Sequence, residues 1–296
     1  MPKIKYEEKQ FNTKTLATIQ QAEAIVNEYQ AQGFSLTLRQ LYYQFVARGY
    51  IPNTDRDYKR IGNIVSDARR AGLIDWSAIE DRTRFIRSLS SWEKPQDILE
   101  SARLSYHLDL WATQRKRMEI WIEKDALVGV IESICQENDV SFFSCRGYVS
   151  DSEIWRAARR MRRYTTAGQI VVVLHLGDHD PSGIDMTRDI TDRLQLFSVH
   201  AKIEVRRIAL TMEQIDAQGP PPNPAKMTDS RYTNYVSQYG EESWELDALE
   251  PQFISDLIRG QILTERDEEK WRVAVAQQEE EREQIGGIIE RWDTLL

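Results

Sequence analysis

Two aspartates one residue apart, Asp178 and Asp180, follow the apolar run IVVVLHL at residues 170–176. Side chains alternate along a strand, so an extended DxD segment places both carboxylates on one side, close enough to share a hard cation, with His179 on the other. The run is short and rich in Val, which is the pattern of a strand buried on both faces. Pro181 and Gly183 supply a turn, and a helical pattern begins at Ile184. Strand, acidic loop and helix in that order match an α/β site at the carboxyl end of a strand, with a helix start suited to a phosphate. A second apolar strand, MEIWI at residues 118–122, ends in Glu123, Lys124 and Asp125. Glu123 with Asp178 and Asp180 makes a candidate three-carboxylate metal site. All-oxygen ligands, with no suitably spaced Cys or His, point to Mg²⁺, with Mn²⁺ as the alternative ion.

Those residues need a scaffold to position them. From residue 118 the sequence alternates strand and helix: MEIWI, a helix over 127–138, the strand VSFFSC at 140–145, a helix over 152–164, the run at 170–176 and a strand at 201–208. Such alternation implies a parallel sheet with right-handed crossovers. Arg146 and Gly147 make a turn after VSFFSC, and Ser150 with Glu153 fits a capping box. The helix DSEIWRAARRMRRY carries Arg156, Arg159, Arg160, Arg162 and Arg163, suited either to tracking a nucleic-acid backbone or to a salt-linked surface. A proline-dense surface loop follows in DAQGPPPNPAKMTD. WELDALEP adds Glu245, Asp247 and Glu250, read as helix-surface acids, with an auxiliary metal contact as the other reading. Residues 264–296 are helical and acidic, and their apolar stripe of Ile285, Ile288, Ile289, Trp292 and Leu295 is expected to pack on the body or on a second subunit.

The amino-terminal part has a different pattern. Leu16, Ile19, Ala22, Ile25 and Val26 recur at helical spacing, with Gly33 as the stop. In SLTLRQLYYQFVARGY, Thr37 and Gln40 fit a capping box, and Leu38, Leu41, Tyr42, Phe45 and Val46 form one buried stripe. Tyr42 therefore packs. Tyr43 lies roughly 140° from Leu38, on the flank of Arg39 one turn earlier, and reads as displayed beside a cation. An ordinary partly exposed aromatic is the other reading. A third helix, capped by Thr54 and Asp57, runs to about Arg70 and stops at Gly72. Its outer face offers Arg56, Lys59, Arg60, Asn63 and Arg70 for phosphate and groove contacts, a solvated basic face being the bland alternative. Residues 73–86 read as short extended segments in the position of a wing, so three helices and a terminal hairpin resemble a winged helix.

The expected organisation is α/β: a helical winged-helix domain over 1–90, a linker over 91–117 with a helix at 96–114, a parallel-sheet domain over 118–262 and a helical tail over 263–296. At 296 residues and 41% hydrophobic content the chain can bury two cores. It has no apolar run long enough to span a membrane, and MPKIKYEEKQ lacks a signal core, so a cytoplasmic location is expected, nucleoid-associated in a prokaryote. Cys135 and Cys145 have no zinc spacing and are expected to be reduced thiols. The net charge of −8 is divided unevenly: up to Arg117 there are 19 Lys and Arg against 14 Asp and Glu, and beyond it 20 against 33. A basic amino-terminal part on an acidic body is compatible with DNA binding through one face.

Taken together, Glu123 in WIEKD, Gly147 in CRGYVSD, and Asp178 and Asp180 in GDHDPSGIDM resemble the Toprim domain. The form is that of the A subunit of type IIB topoisomerases (topoisomerase VI) and the related meiotic double-strand-break proteins. RQLYY, Arg39 to Tyr43, is similar to the RxxYY segment of that family's winged-helix domain, whose second tyrosine is the DNA-cleaving nucleophile. The resemblance covers roughly residues 36–249, in the same order. It implies Mg²⁺ held by Glu123, Asp178 and Asp180, with Tyr43 as nucleophile and Arg39 helping to form its phenolate. It also implies a homodimer in which the tyrosine of one chain meets the metal site of the other. Glu123 is open to a part as general acid or base, and Lys124 and Arg146 are expected to join the contacts to double-stranded DNA. Nothing resembles the ATPase subunit that strand passage needs, so a complete topoisomerase would require a separate partner. The leading expectation is DNA cleavage by transesterification through Tyr43. A hydrolytic Toprim endonuclease of a mobile element or defence system, and a non-catalytic winged-helix DNA-binding protein, are the alternatives.

Overall fold

Caps and periodicity set the amino-terminal helices where the sequence places them. The computed structural model describes residues 3–81 and 89–292. In it, α1 (Thr13–Ala31) starts at Asn12, α2 (Leu38–Ala47) carries the Thr37 and Gln40 capping box, and α3 (Asp55–Arg70) starts at Thr54. Ile25, Tyr29, Leu41, Phe45, Ile61 and Ile74 join them in one apolar cluster. The described part of residues 73–86 holds a 3₁₀ turn, Trp76–Ala78, and a single parallel bridge between Leu36 and Ile79, not hairpin strands. Asp75 caps that turn, and the Arg69 guanidinium donates to the carbonyls of Trp76 and Ile79, folding the segment back on α3. The rest of the expected wing lies outside the described residues.

The helix expected over 96–114 stops early, as α4 (Pro95–Ser105). Beyond it, distant partners pull the chain out of helix: the Leu108 N–H donates to Gln278 Oε1, the Leu110 N–H to Asp139 Oδ2 and the Trp111 indole to the Asn138 carbonyl, each at 2.9 Å. There follow β1 (Lys116–Ile122), α5 (Val128–Glu137), β2 (Ser141–Ser144), α6 (Asp151–Thr166), β3 (Ile170–Leu176), α7 (Pro181–Phe197) and β4 (Ile203–Ala209). The sheet order is β2-β1-β3-β4, with every pairing parallel. Val172, Leu174 and Leu176 pack in one core with Ile120, Ile122 and α5, while Val171 and Val173 pack in the other with Trp121, α6 and α7. Burial on both faces is what the unbroken apolar runs require. Because the strands are parallel, their carboxyl ends share one rim, and Ile122 of β1 lies beside Leu176 of β3 there.

The remaining elements are α8 (Met212–Gln218), β5 (Asn223–Pro224), α9 (Tyr232–Tyr239), β6 (Glu242–Ser243), a 3₁₀ turn at Leu246–Ala248, α10 (Pro251–Glu265) and α11 (Glu268–Glu290). A bridge between His179 and Trp244 lays the 3₁₀ turn against the acidic loop. The expected tail is not separate from the body. α11 docks along residues 106–111 through Trp271, Gln278 and Arg282, whereas Ile288 of the expected stripe is exposed. No described helix is long and apolar enough to cross a membrane. Cys135 and Cys145 are buried and unpaired.

The α6 arginines divide by use. Arg156 pairs with Glu153, and Arg159 stacks over Trp155. Arg160 donates two bonds, at 2.9 and 2.8 Å, to the buried Glu119 carboxylate, which also accepts the Trp121 indole at 3.1 Å. Arg160→Ala strands that carboxylate and is expected to lower the unfolding free energy by about 2 kcal/mol in urea denaturation. Adding Glu119→Gln is expected to recover part of the loss. Equal midpoints for wild type and Arg160→Ala would show that the pair contributes nothing.

Candidate active site

The carboxyl ends of β1 and β3 bring Glu123, Asp178 and Asp180 to a cavity of about 500 Å³ that Arg39, Tyr43, Lys124 and Glu245 also line. Glu123 Oε2 accepts the Asp178 N–H at 2.9 Å. Gly177 leaves the room, since a Cβ there would lie 3.0 Å from that oxygen. Asp178 Oδ1 accepts the Leu246 N–H at 2.8 Å, and its Oδ2 pairs with Lys124 Nζ at 2.6 Å. Asp180 is the N-cap of α7, with Oδ1 accepting from the Gly183 N–H at 2.6 Å and from Ser182 Oγ at 2.9 Å. His179 turns the other way, its Nδ1 lying 2.8 Å from Tyr235 Oη. Burial pushes its pKa down to about 4, so the ring is neutral.

Arg207 on β4 was not among the expected site residues, yet it holds the acidic loop in place. Its guanidinium donates to the carbonyls of Gly177 at 2.9 Å, Asp178 at 2.6 Å and Gly183 at 2.8 Å. The sequence does not single it out, since its neighbour Arg206 in the strand IEVRRIA pairs instead with Glu204 and Glu265. The loop closes so tightly on α7 that a Cβ at Gly183 would stand 2.2 Å from the Asp178 carbonyl oxygen. Gly183→Ala must therefore move the loop. It is expected to lower the melting temperature by about 5 °C in scanning calorimetry. An unchanged melting temperature would show that the turn has slack.

Two expectations need correction. Tyr43 is not displayed: it is 3% exposed, because the flank of α2 that carries it is covered by the Leu246–Ala248 turn. Its hydroxyl lies 3.4 Å from Arg39 Nη2 at the cavity. Glu245 and Asp247 are not helix-surface acids, since the Asp178 bond to the Leu246 N–H draws the segment onto the site. Arg39 Nη2 and Lys124 Nζ both lie 3.0 Å from Glu245 Oε2. Arg39 Nε lies 3.3 Å from Asp247 Oδ2, an ion pair without hydrogen-bond alignment, and neither Asp247 oxygen has a hydrogen-bond partner among the described residues. Glu250 alone of the three acids in WELDALEP is exposed, where it accepts from Tyr29 Oη. Lys124, expected among the DNA contacts, lines the same cavity and pairs there with Asp178 and Glu245.

The other expected DNA contacts stand outside this cavity. Arg56, Lys59 and Asn63 are exposed on α3, while Arg60 pairs with Asp57 and Arg70 with Asp67, each at 3.0 Å. Arg146 is exposed and lies 3.0 Å from Asp125.

Five carboxylates, Glu123, Asp178, Asp180, Glu245 and Asp247, thus gather around Arg39, Lys124 and Arg207. Burial, and then the charge on Asp178, pushes Glu123 up to about 7. Burial pushes Asp247 up to about 7 against the pull of Lys124. Burial opposes the Lys124 charge, but Asp178, Asp247 and Glu245 together outweigh it and keep the ammonium protonated. Glu245 is held below its ordinary value because Lys124 and Arg39 together outweigh its burial. The Tyr43 phenol is pushed up by burial and then by Asp247 and Glu245.

Among the described residues, no three His, Cys, Asp or Glu side chains are preassembled as a metal cage. The donor set nevertheless suits Mg²⁺ or Mn²⁺. The ligands are hard oxygens, negative charge is in excess, and the crowded acids would ionise beside a divalent cation.

An acid whose folded-state pKa is raised stabilises the fold fully below its unfolded value and loses that contribution as pH rises through the raised one. For Asp247 the window runs from 3.8 to about 7. Without divalent ions, the melting temperature of Asp247→Asn relative to wild type is expected to rise between about pH 4 and about pH 8. Mn²⁺ at the higher pH is expected to narrow the gap. A difference that does not vary with pH would show that Asp247 ionises freely.

No protein-family model, curated protein or solved structure matches this chain.

Proposed function

We propose that this chain is a Mg²⁺-dependent DNA-cleaving protein, with the parallel sheet as a Toprim domain and α1–α3 as a winged-helix-like domain. It would be similar to the A subunit of topoisomerase VI and its meiotic relatives. The observation that carries the reading is that Tyr43 shares one cavity with Glu123, Asp178 and Asp180. A phenol and three carboxylates around one space are the parts that phosphodiester transesterification needs.

In that reaction the Tyr43 oxygen bonds to phosphorus as the bond from phosphorus to the departing deoxyribose oxygen breaks. The phenol proton passes to an acceptor, and the departing oxygen takes up a proton. Glu245, kept ionised by Lys124 and Arg39, is the carboxylate placed to receive the phenol proton. Glu123, pushed up to about 7, is the acid placed to return one. Arg39, beside the hydroxyl, favours the phenolate and can hold a phosphate oxygen. Glu123, Asp178 and Asp180 would hold the divalent cation, which when bound supplies neutralisation of charge developing on the phosphate and the departing oxygen. Duplex DNA would approach over the exposed Arg56, Lys59 and Asn63. Strand passage would need a separate ATPase.

One observation favours a hydrolytic endonuclease instead: burial and the flanking acids hold the Tyr43 phenol protonated well beyond neutral pH. In that case water would be the nucleophile and Tyr43 would position the DNA.

The deciding experiment incubates supercoiled plasmid with the protein and Mg²⁺ or Mn²⁺, then resolves products on denaturing gels with and without protease. Protein is expected to remain covalently attached to DNA ends. Tyr43→Phe is expected to reduce that adduct by at least about 10³-fold, since no other group replaces the attacking oxygen. Undiminished cutting by Tyr43→Phe would select hydrolysis, and no cutting in either metal would reject cleavage altogether.

A further inference from the structure

We propose that the outer face of α6 is a binding surface for single-stranded DNA, separate from the cavity and standing apart from the cleavage reading.

Helical spacing builds the face. Ile154, Ala157, Ala158 and Met161 turn α6 onto the sheet. At 3.6 residues per turn, Trp155, Arg159, Arg162, Arg163 and Thr166 fall within an arc of about 100° on the other side, in a row roughly 16 Å long. All five are exposed, and the last four line a hollow of about 450 Å³. The row starts one turn into α6, near the carboxyl rim, and runs to the amino edge of the sheet, where β3 begins at Ile170. Arg162 and Arg163 thus lie toward the edge opposite the acidic loop.

Charge narrows the choice of occupant. The flanking arginines are neutralised, Arg156 by Glu153 and Arg160 by Glu119. Among the described residues no carboxylate pairs with Arg159, Arg162 or Arg163, although acids outnumber bases 33 to 20 beyond Arg117. Three guanidiniums left open in a part of the chain with acids to spare suit a polyanion from outside. DNA carries one charge per roughly 3.4 Å of each strand, so a row of about 16 Å meets several phosphates.

The indole decides which form of DNA. Trp155 is 48% exposed, and the Arg159 guanidinium lies 5.3 Å from its ring centre. Duplex bases are stacked on one another, so the ring would meet only backbone. An unpaired base can stack on the indole while its phosphates follow the arginines, the combination that single-strand binders use. An acidic helix of a second copy would satisfy the arginines but leave the ring in water. The acidic α11 is moreover partly committed, Glu279 to Arg282 and Glu281 to Tyr106.

The test follows fluorescence anisotropy of a labelled oligo(dT) of about a dozen nucleotides, and of a duplex of equal length, across a salt series. EDTA is present throughout, so failure of this proposal and failure of cleavage are separate results. Arg159→Gln, Arg162→Gln and Arg163→Gln together are expected to weaken oligo(dT) binding at least about 10-fold and to flatten the log-log salt slope by about 2. Trp155→Ala is expected to weaken it at least about 5-fold with the slope unchanged, because stacking releases no counterions. Oligo(dT) binding unaltered by either change, or losses confined to the duplex, would overturn the proposal. So would a wild-type dimer that the arginine substitutions split in gel filtration, since a second copy would then hold the face.

Discussion

The Lys124 ammonium, 2.6 Å from Asp178 and 3.0 Å from Glu245, ties together three stretches that are far apart in the chain. It comes from the end of β1, Asp178 from the end of β3, and Glu245 from the segment that leads into the Leu246–Ala248 turn. Each is partly or fully buried, and a buried charge is tolerated only when it is paired. Arg39 extends the same arrangement to the helical unit by reaching Glu245 and Asp247 from α2. Arg207 completes it from beneath, holding the carbonyls that shape the acidic loop. The position of Tyr43 follows from these pairings, because the turn they draw in is the one that covers its ring.

Such a site is poised against itself. Crowded carboxylates in a poorly solvated cavity raise one another's pKa, as Glu123 and Asp247 show. The surplus of negative charge makes a divalent cation welcome, yet Lys124 already satisfies Asp178. On the proposed function, a metal and a phosphate would together take the places that Lys124 and Arg39 now mark. The same burial that holds the phenol protonated would strengthen the pull of an incoming cation on its oxygen.

Much of this was legible in the sequence, because it depends on local pattern. The capping box at Thr37 and Gln40, the alternation of Asp178, His179 and Asp180, and the apolar strand ending in Glu123 all follow from spacing and backbone geometry. What escaped the sequence depends on partners distant along the chain. Helical spacing set Tyr43 apart from the stripe of its own helix, but could not reveal that its flank is covered too, so that Tyr43 joins the same apolar cluster as Leu41, Tyr42 and Phe45. WELDALEP looks helical and acidic, and the bridge between His179 and Trp244 together with the bond from the Leu246 N–H to Asp178 turns Glu245 and Asp247 inward. α4 ends at Ser105 because α11 and the Asn138–Asp139 corner compete for the next residues' hydrogen bonds. Arg207 looked like any strand arginine until the carbonyls around it were in place.

The most direct test measures the distance between the tyrosine and the metal. The 12 tyrosines would be replaced by 3-fluorotyrosine, the Tyr43 resonance assigned through Tyr43→Phe, and the fluorine spectrum followed as one equivalent of Mn²⁺ is added, with Mg²⁺ as the diamagnetic control. The expected result is loss of the Tyr43 signal by paramagnetic broadening, while tyrosines remote from the cavity, such as Tyr106, stay sharp. A Tyr43 signal that remains sharp while Mn²⁺ demonstrably binds would place the phenol away from the metal and contradict a shared site.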